Sequence, residues 1–234
     1  MLMKYVTKIT LYNSYFDFND RLTAKAILSI FQDVASTHAE EIGVGYESML
    51  NNNLYWVLSR VKFDIIKMPR INEVVIVETW PHTKGRIDFD RDMKILSESG
   101  ETLIIATSKW CVIDVTSRML SRTDKVNYIG EYCTDINYND KFNKIILPDK
   151  TICKKFDYVV RFSDLDHNEH MNNTNYSNLV LNSINNKKFN HFEINFINEC
   201  RLGDEIVTYS CASESREYVV GKVNNKTVFN AYVE

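Results

Sequence analysis

Asp17-Phe18-Asn19-Asp20-Arg21-Leu22 has a counterpart far downstream in Asp166-His167-Asn168-Glu169-His170-Met171. Both stretches follow a strand-like segment and precede a helical one. Two further pairs occur in the same order. Arg70-Ile71-Asn72-Glu73 matches Arg201-Leu202-Gly203-Asp204, and Gly100-Glu101-Thr102-Leu103-Ile104 resembles Asn225-Lys226-Thr227-Val228-Phe229. Each match is weak alone, and their common order makes them a repeat. Each half reads as a strand, a helix and then a run of antiparallel strands. That pattern suits a curved sheet wrapped around a helix. The expected fold class is therefore α+β, in two fused copies.

Around these anchors, β-branched and aromatic residues with partial alternation predict ten strands. They cover 6–12, 55–66, 73–79, 86–97, 102–114, 156–162, 192–198, 205–212, 217–222 and 227–233. Helical periodicity predicts one helix over 22–42, with Leu22, Ala26, Ile30 and Val34 on a shared face and Asp20 or Thr23 as cap. A second helix is expected over 174–184. Between 121 and 155 the pattern dissolves into Asn, Asp, Lys and Tyr. The division read from this is an N-terminal half at 1–122, a linker at 123–154 and a C-terminal half at 155–234.

Composition removes several classes. Hydrophobic residues at 44% and charged residues at 25% exclude a disordered chain. With 234 residues, the length alone falls between one domain and two. The 7 glycines and 3 prolines argue against flexible linkers and glycine-rich phosphate loops. Neither a dinucleotide fingerprint nor a P-loop is present, and no G-x-S-x-G elbow or H-E-x-x-H pair occurs. A net charge of −3 does not favour nucleic acid. No apolar run is long enough for membrane insertion, and residues 1–18 hold no signal-peptide core. Five cysteines, Cys111, Cys133, Cys153, Cys200 and Cys211, form no C-x-x-C pair. They read as free or buried thiols of a cytoplasmic protein without structural zinc.

The densest polar cluster is Asp164-Leu165-Asp166-His167-Asn168-Glu169-His170-Met171-Asn172-Asn173. It sits between a strand and a helix, where backbone N–H groups lack intrahelical partners and can face a developing oxyanion. A capping loop with solvated charge is the plain alternative and, for these residue types, the commoner one. His167 and His170 would need a third convergent ligand to hold a metal. The second candidate is Glu199-Cys200, at the end of a strand-like run. Its thiol suits a nucleophile and its carboxylate suits a base that activates water. A surface Glu and a half-buried Cys are the plain readings there.

These residues resemble a known family. The stretch from Phe162 through Asp166, Asn168 and His170 to Tyr176 is similar to the active-site segment of the acyl-ACP thioesterases of plants and bacteria. The first half agrees independently. Ser99-Gly100-Glu101-Thr102, Ala106-Thr107-Ser108-Lys109-Trp110 and Ser117-Arg118-Met119-Leu120 are similar to the family's SGE, ATSKW and TRRL stretches. Trp56-Val57-Leu58-Ser59-Arg60 is similar to its W-V-x-x-R strand.

The resemblance implies two tandem hot-dog folds and hydrolysis of fatty acyl-ACP to free fatty acid and ACP, with no cofactor and no metal. It places the catalytic Asp, Asn and His on Asp166, Asn168 and His170, and the family's Glu and Cys on Glu199 and Cys200. In the first half the triplet becomes Asp17, Asn19 and Arg21, so that half is expected to be catalytically silent and to shape the acyl pocket. Asp166 has two open roles, positioning the network or attacking the thioester. Cys200 as a nucleophile is the less favoured scheme.

Met49, Leu50, Leu54, Trp56 and Leu58 are candidates to line the acyl slot. Lys154, Lys155, Arg161, Lys187, Lys188 and Arg201 are candidates to dock the acidic carrier protein. A homodimer is compatible with this reading. The alternatives are an acyl-CoA thioesterase of the same fold and a non-enzymatic acyl-binding domain.

Overall fold

The structure is a computed structural model describing residues 3–140, 142–148 and 151–234. The chain divides into two units, Met1–Lys141 and Phe142–Glu234.

In the first unit, β1 (Tyr5–Thr10) leads through a short 3-10 turn at Asn13–Tyr15 to α1 (Ala24–Glu41). A six-residue helix, α2 (Tyr46–Asn51), precedes β2 (Leu54–Ile65), β3 (Val74–Pro81), β4 (Phe89–Ser97) and β5 (Thr102–Asp114). The strands pair antiparallel in the order β1-β3-β4-β5-β2. The second unit begins with β6 (Cys153–Val159), a 3-10 turn at Phe162–Asp164 and α3 (Asn173–Ser183). It continues through β7 (His191–Phe196), β8 (Glu205–Ser213), β9 (Arg216–Val223) and β10 (Lys226–Val233). Its antiparallel order is β6-β8-β9-β10-β7. Taken element by element, that is the order of the first unit. The repeat expected from three weak sequence matches is thus a repeat of topology.

The turns repeat as well. Asp20 and Glu169 both adopt positive φ, at 56° and 62°, as do Asn72 and Gly203 at 62° and 86°. Asn72 N–H donates to the Leu11 carbonyl and Leu11 N–H to that of Glu73, at 2.8 and 2.9 Å. Gly203 and Val160 make the corresponding bonds, to Val160 and Asp204, each at 2.9 Å.

Helix α1 starts at its cap, Thr23, whose hydroxyl accepts the Ala26 N–H at 3.1 Å. The expected start at residue 22 is two residues early, because Leu22 forms a β-bridge with Phe16. The buried face of α1 includes Ile27, Phe31, Val34 and His38. In the second unit, Tyr176 of α3 packs edge-on against Phe196 and Phe229, both with ring centroids 5.5 Å away. Gly221 on β9 makes room for Phe229, since a Cβ there would lie 2.1 Å from its ring.

Other sequence expectations shift as well. Helix α2 was not expected, because six residues are too few to show a helical period. Strand β6 spans 153–159 rather than 156–162, because Phe162 already belongs to the 3-10 turn. The segment 123–140 is no free linker. Trp80 Nε1–H donates to the Asp135 carbonyl at 2.8 Å, and Asn137 Nδ2 donates to the carbonyls of Met93 and Ala106, both at 2.9 Å. The Trp80 indole N–H and two strand carbonyls are satisfied this way, a pairing that residue types alone do not reveal.

Candidate active site

The loop before α3 is built by one carboxylate. Asp166 Oδ1 accepts the backbone N–H of Asn168 at 2.8 Å and that of His170 at 3.3 Å. The backbone closes the same turn, with Asp166 N–H donating to the His170 carbonyl at 2.8 Å. The left-handed residue the turn requires is Glu169. Asn172 then caps α3, its Oδ1 accepting from the Thr174 N–H at 2.9 Å and from the Thr174 hydroxyl at 2.8 Å. Asn175 reaches back from the first turn of the helix, donating to the Asp164 carbonyl at 3.0 Å.

Glu199 arrives from the far end of β7. His170 forms a β-bridge with Arg201, and Met171 N–H donates to the Cys200 carbonyl at 2.8 Å. This backbone seam sets His170 Nε2 3.1 Å from Glu199 Oε2. His170 keeps only 14% side-chain exposure, while Glu199 keeps 41%. A carboxylate on Nε2 fixes the ring orientation and holds the neutral ring's proton on that nitrogen, which leaves Nδ1 as the basic position. That is the chemical equipment of a base with an orienting acid.

The other expected residues are placed as follows. Asn168 is exposed at the loop tip. Cys200 is fully buried against Tyr176, and burial pushes its thiol up to about 11. A protonated buried thiol is a poor nucleophile, so the geometry does not favour the thiol scheme. Of the apolar candidates, Met49, Leu54 and Trp56 meet in one cluster of the first unit with Ile42, Phe89 and Val112. Trp56 also donates through Nε1 to the Val44 carbonyl at 2.9 Å. Leu58 and Leu50 stand outside that cluster, and Leu50 is exposed.

The six basic candidates do not form one patch around His170. Arg161 and Arg201 border the loop, through the Asp164 turn and the β-bridge. Lys187 lies at the opposite end of α3, donating to the carbonyls of Leu181 and Ile184, with Lys188 beside it. Lys155 is within electrostatic reach of Lys187, and Lys154 is paired with Asp157 at 2.7 Å.

Sequence reasoning gave no individual role to Asp164, Asn172, Asn175 or Tyr176, although Asp164 and Asn172 lie in the polar cluster and Tyr176 in the family segment. Asp164 Oδ2 accepts from the Tyr158 hydroxyl and the Arg161 N–H, each at 2.8 Å. An Asn just before a helical run was the one available signal, as a cap.

The first unit carries the same loop without the same chemistry. Asp17 Oδ1 accepts from the N–H groups of Asn19 at 2.8 Å and Arg21 at 3.0 Å. Arg21 stands where the second unit has His170. Met68 takes the place of Glu199, with its sulfur 3.4 Å from the Leu22 nitrogen.

Comparison with known proteins agrees with this architecture. The acyl-ACP thioesterase N-terminal domain family matches residues 3–129, and the C-terminal domain family matches residues 148–229. The chain is 32% identical to the chloroplastic oleoyl-acyl carrier protein thioesterase 2 of Arabidopsis thaliana, over 88% of this chain and 62% of that protein. It is 30% identical to the chloroplastic palmitoyl-acyl carrier protein thioesterase of the same plant, over 68% of this chain and 42% of that protein. The chain thus spans less than two thirds of the length of these relatives. Among solved structures, an acyl-ACP thioesterase from Bacteroides thetaiotaomicron shares the fold with a TM-score of 0.86 at 23% identity, covering 99% of this chain and 97% of its own. The 12:0-ACP thioesterase of Umbellularia californica gives 0.83 at 20% identity, covering 99% and 96%. Two family domains in tandem, across more than half of the residues, place this chain in the acyl-ACP thioesterase family.

Proposed function

We propose that the chain hydrolyses fatty acyl-ACP to free fatty acid and ACP. Within this family membership, the observation that carries the reading is the His170–Glu199 pair, 3.1 Å apart, on a loop ordered by Asp166. In the proposed reaction His170 Nδ1 takes a proton from water as the water oxygen attacks the thioester carbonyl. Glu199 holds the ring and stabilises the imidazolium that forms. The carboxamide of Asn168 holds the carbonyl oxygen. The tetrahedral adduct then expels the thiolate, which receives the proton from His170.

Asp166 acts as the positioning carboxylate, because its Oδ1 is already committed to two backbone N–H groups. The apolar cluster around Met49, Leu54 and Trp56 is the proposed acyl-binding element. Arg161 and Arg201 are the proposed contacts for the acidic carrier. The cytoplasm is its proposed compartment, supported by cysteines that form no disulfide among the described residues.

The test is the purified chain against acyl-ACP substrates of graded length, reading the fatty acids released, with acyl-CoA of the same lengths in parallel. Faster release from ACP supports the reading. Faster release from CoA would move the activity to acyl-CoA. Tight binding without turnover would make this an acyl-binding protein.

A further inference from the structure

Arg91 is a buried cation on the helix-facing side of the first unit's sheet. Along β4 the side chains alternate, so Phe89, Arg91, Met93 and Ile95 share one face and are all buried. The guanidinium Nη1 donates to Thr79 Oγ1 at 3.1 Å and to His38 Nδ1 at 3.0 Å. The Thr79 hydroxyl is itself spent on the Asp92 carbonyl at 3.0 Å. His38 comes from α1 and stacks on Tyr5, with centroids 5.9 Å apart.

Both of these partners are neutral. Burial and the charge of Arg91 push His38 down to about 4, so its ring accepts at Nδ1 and keeps its proton on Nε2. The carboxylates on either side in sequence face the other way. Asp90 pairs with Lys109 at 2.7 Å, and Asp92 accepts from the Asn137 N–H at 2.6 Å and lies 3.1 Å from His82 Nε2. A desolvated cation is costly unless an anion or a strong acceptor meets it. The group therefore presents donors, from Arg91 and from His38 Nε2, to whatever lies beside it.

What lies beside it is the apolar cluster proposed for the acyl chain. Phe89, two residues before Arg91 on the same face, belongs to that cluster, as does Ala39, next to His38. Tyr128 packs there against Phe89, with centroids 5.8 Å apart, and feels the Arg91 charge.

We propose that Arg91 and His38, with Thr79 holding the guanidinium in place, form an oxygen-recognition subsite at the edge of the acyl-binding cluster, selecting acyl chains that carry an acceptor oxygen. Hydroxyl, keto and terminal carboxylate groups share that chemistry. The proposal rests on the thioesterase reading and narrows its substrate class.

The test compares ACP thioesters of one chain length, all-hydrocarbon or bearing a hydroxyl, keto or terminal carboxylate at graded positions. The wild-type protein is expected to favour at least one oxygenated chain by about tenfold or more in kcat/KM, since polar sites reject analogues that leave them unpaired. Arg91→Met is expected to abolish that preference, and Arg91→Lys to keep part of it. A wild-type protein that prefers the plain chain over every oxygenated one overturns the subsite, and needs no variant to do so. An unchanged preference in a folded Arg91→Met overturns it too.

A second readout is independent of turnover. A dicarboxylic acid should raise the Tm of the wild type more than the monocarboxylic acid of equal length, and this difference should vanish in Arg91→Met. If that shift appears while no thioester is cleaved, the subsite stands and the hydrolase reading falls. Cleavage with no oxygen preference does the reverse.

Discussion

In each unit an aspartate opens the loop before the long helix, Asp17 in one and Asp166 in the other. Each accepts through Oδ1 from the backbone N–H groups two and four residues on. Each loop then passes through a left-handed residue, Asp20 or Glu169, and ends on a helix cap, Thr23 or Asn172. The bonds inside the two loops correspond, and the exposed chemistry does not. The second unit sets His170 against Glu199, where the first has Arg21 and Met68. An aspartate that does the same work in a loop without the histidine has a folding role in both. On the proposed mechanism, proton transfer falls to the two residues that differ.

Exchanging those residues should break the comparison most sharply. His170→Arg copies the first unit into the second. It should lower turnover by roughly 10²–10⁴, the usual worth of a general base, while far-UV CD and Tm stay close to wild type. Glu199→Met copies Met68. It should cost less, about 10²-fold, because the base remains and only its orientation and charge balance are lost. A steady-state assay of both variants orders the two roles, and a larger loss in Glu199→Met would make the glutamate itself the base.

The shared aspartates sharpen the comparison. Asp166→Ala should lose activity and stability together, whereas Asp166→Asn keeps an acceptor oxygen for the two N–H groups and should lie much nearer wild type. An Asn variant as inactive as the Ala variant would instead favour direct attack by the carboxylate. Asp17→Ala should lower stability by about 1–2 kcal/mol, the net worth of two hydrogen bonds, in denaturant unfolding, with kcat/KM unchanged. The smallest effect on activity is expected for Cys200→Ala. The thiol is buried and its pKa is raised to about 11, so most turnover should survive.

Much of this was legible in the residues themselves. Strand β5 ran over 102–114 as expected, and the two long helices were found to within two residues at each end. Alternation and the 3.6-residue period are local signals, and strong where one face is buried. Helix α2 escaped because one and a half turns show no period, and the packing of 123–140 escaped because its side chain-to-backbone bonds join residues far apart in sequence. Within the site, Asp166, Asn168 and His170 could be read as a group because they share one loop. Glu199 stood out as a candidate at the end of a strand-like run, and the resemblance joined it to the Asp-Asn-His group, since no local pattern connects it with His170. The basic residues illustrate the opposite failure. Lys187 and Lys188 follow α3 closely in sequence, yet an 11-residue helix carries them about 16 Å along its axis from the loop.

The sequence by itself determined the repeat, the α+β class and the loop that bears the polar cluster. Those follow from periodicity and from turn residues, which act over a few positions. Only the tertiary structure decided the rest. The bridge of His170 to Arg201 brings Glu199 within hydrogen-bond reach, burial keeps the Cys200 thiol protonated, and alternation along β4 turns Arg91 inward while Asp90 and Asp92 turn away. Each depends on which surfaces a fold presses together and removes from water, and that is a property of the folded sheet and helix.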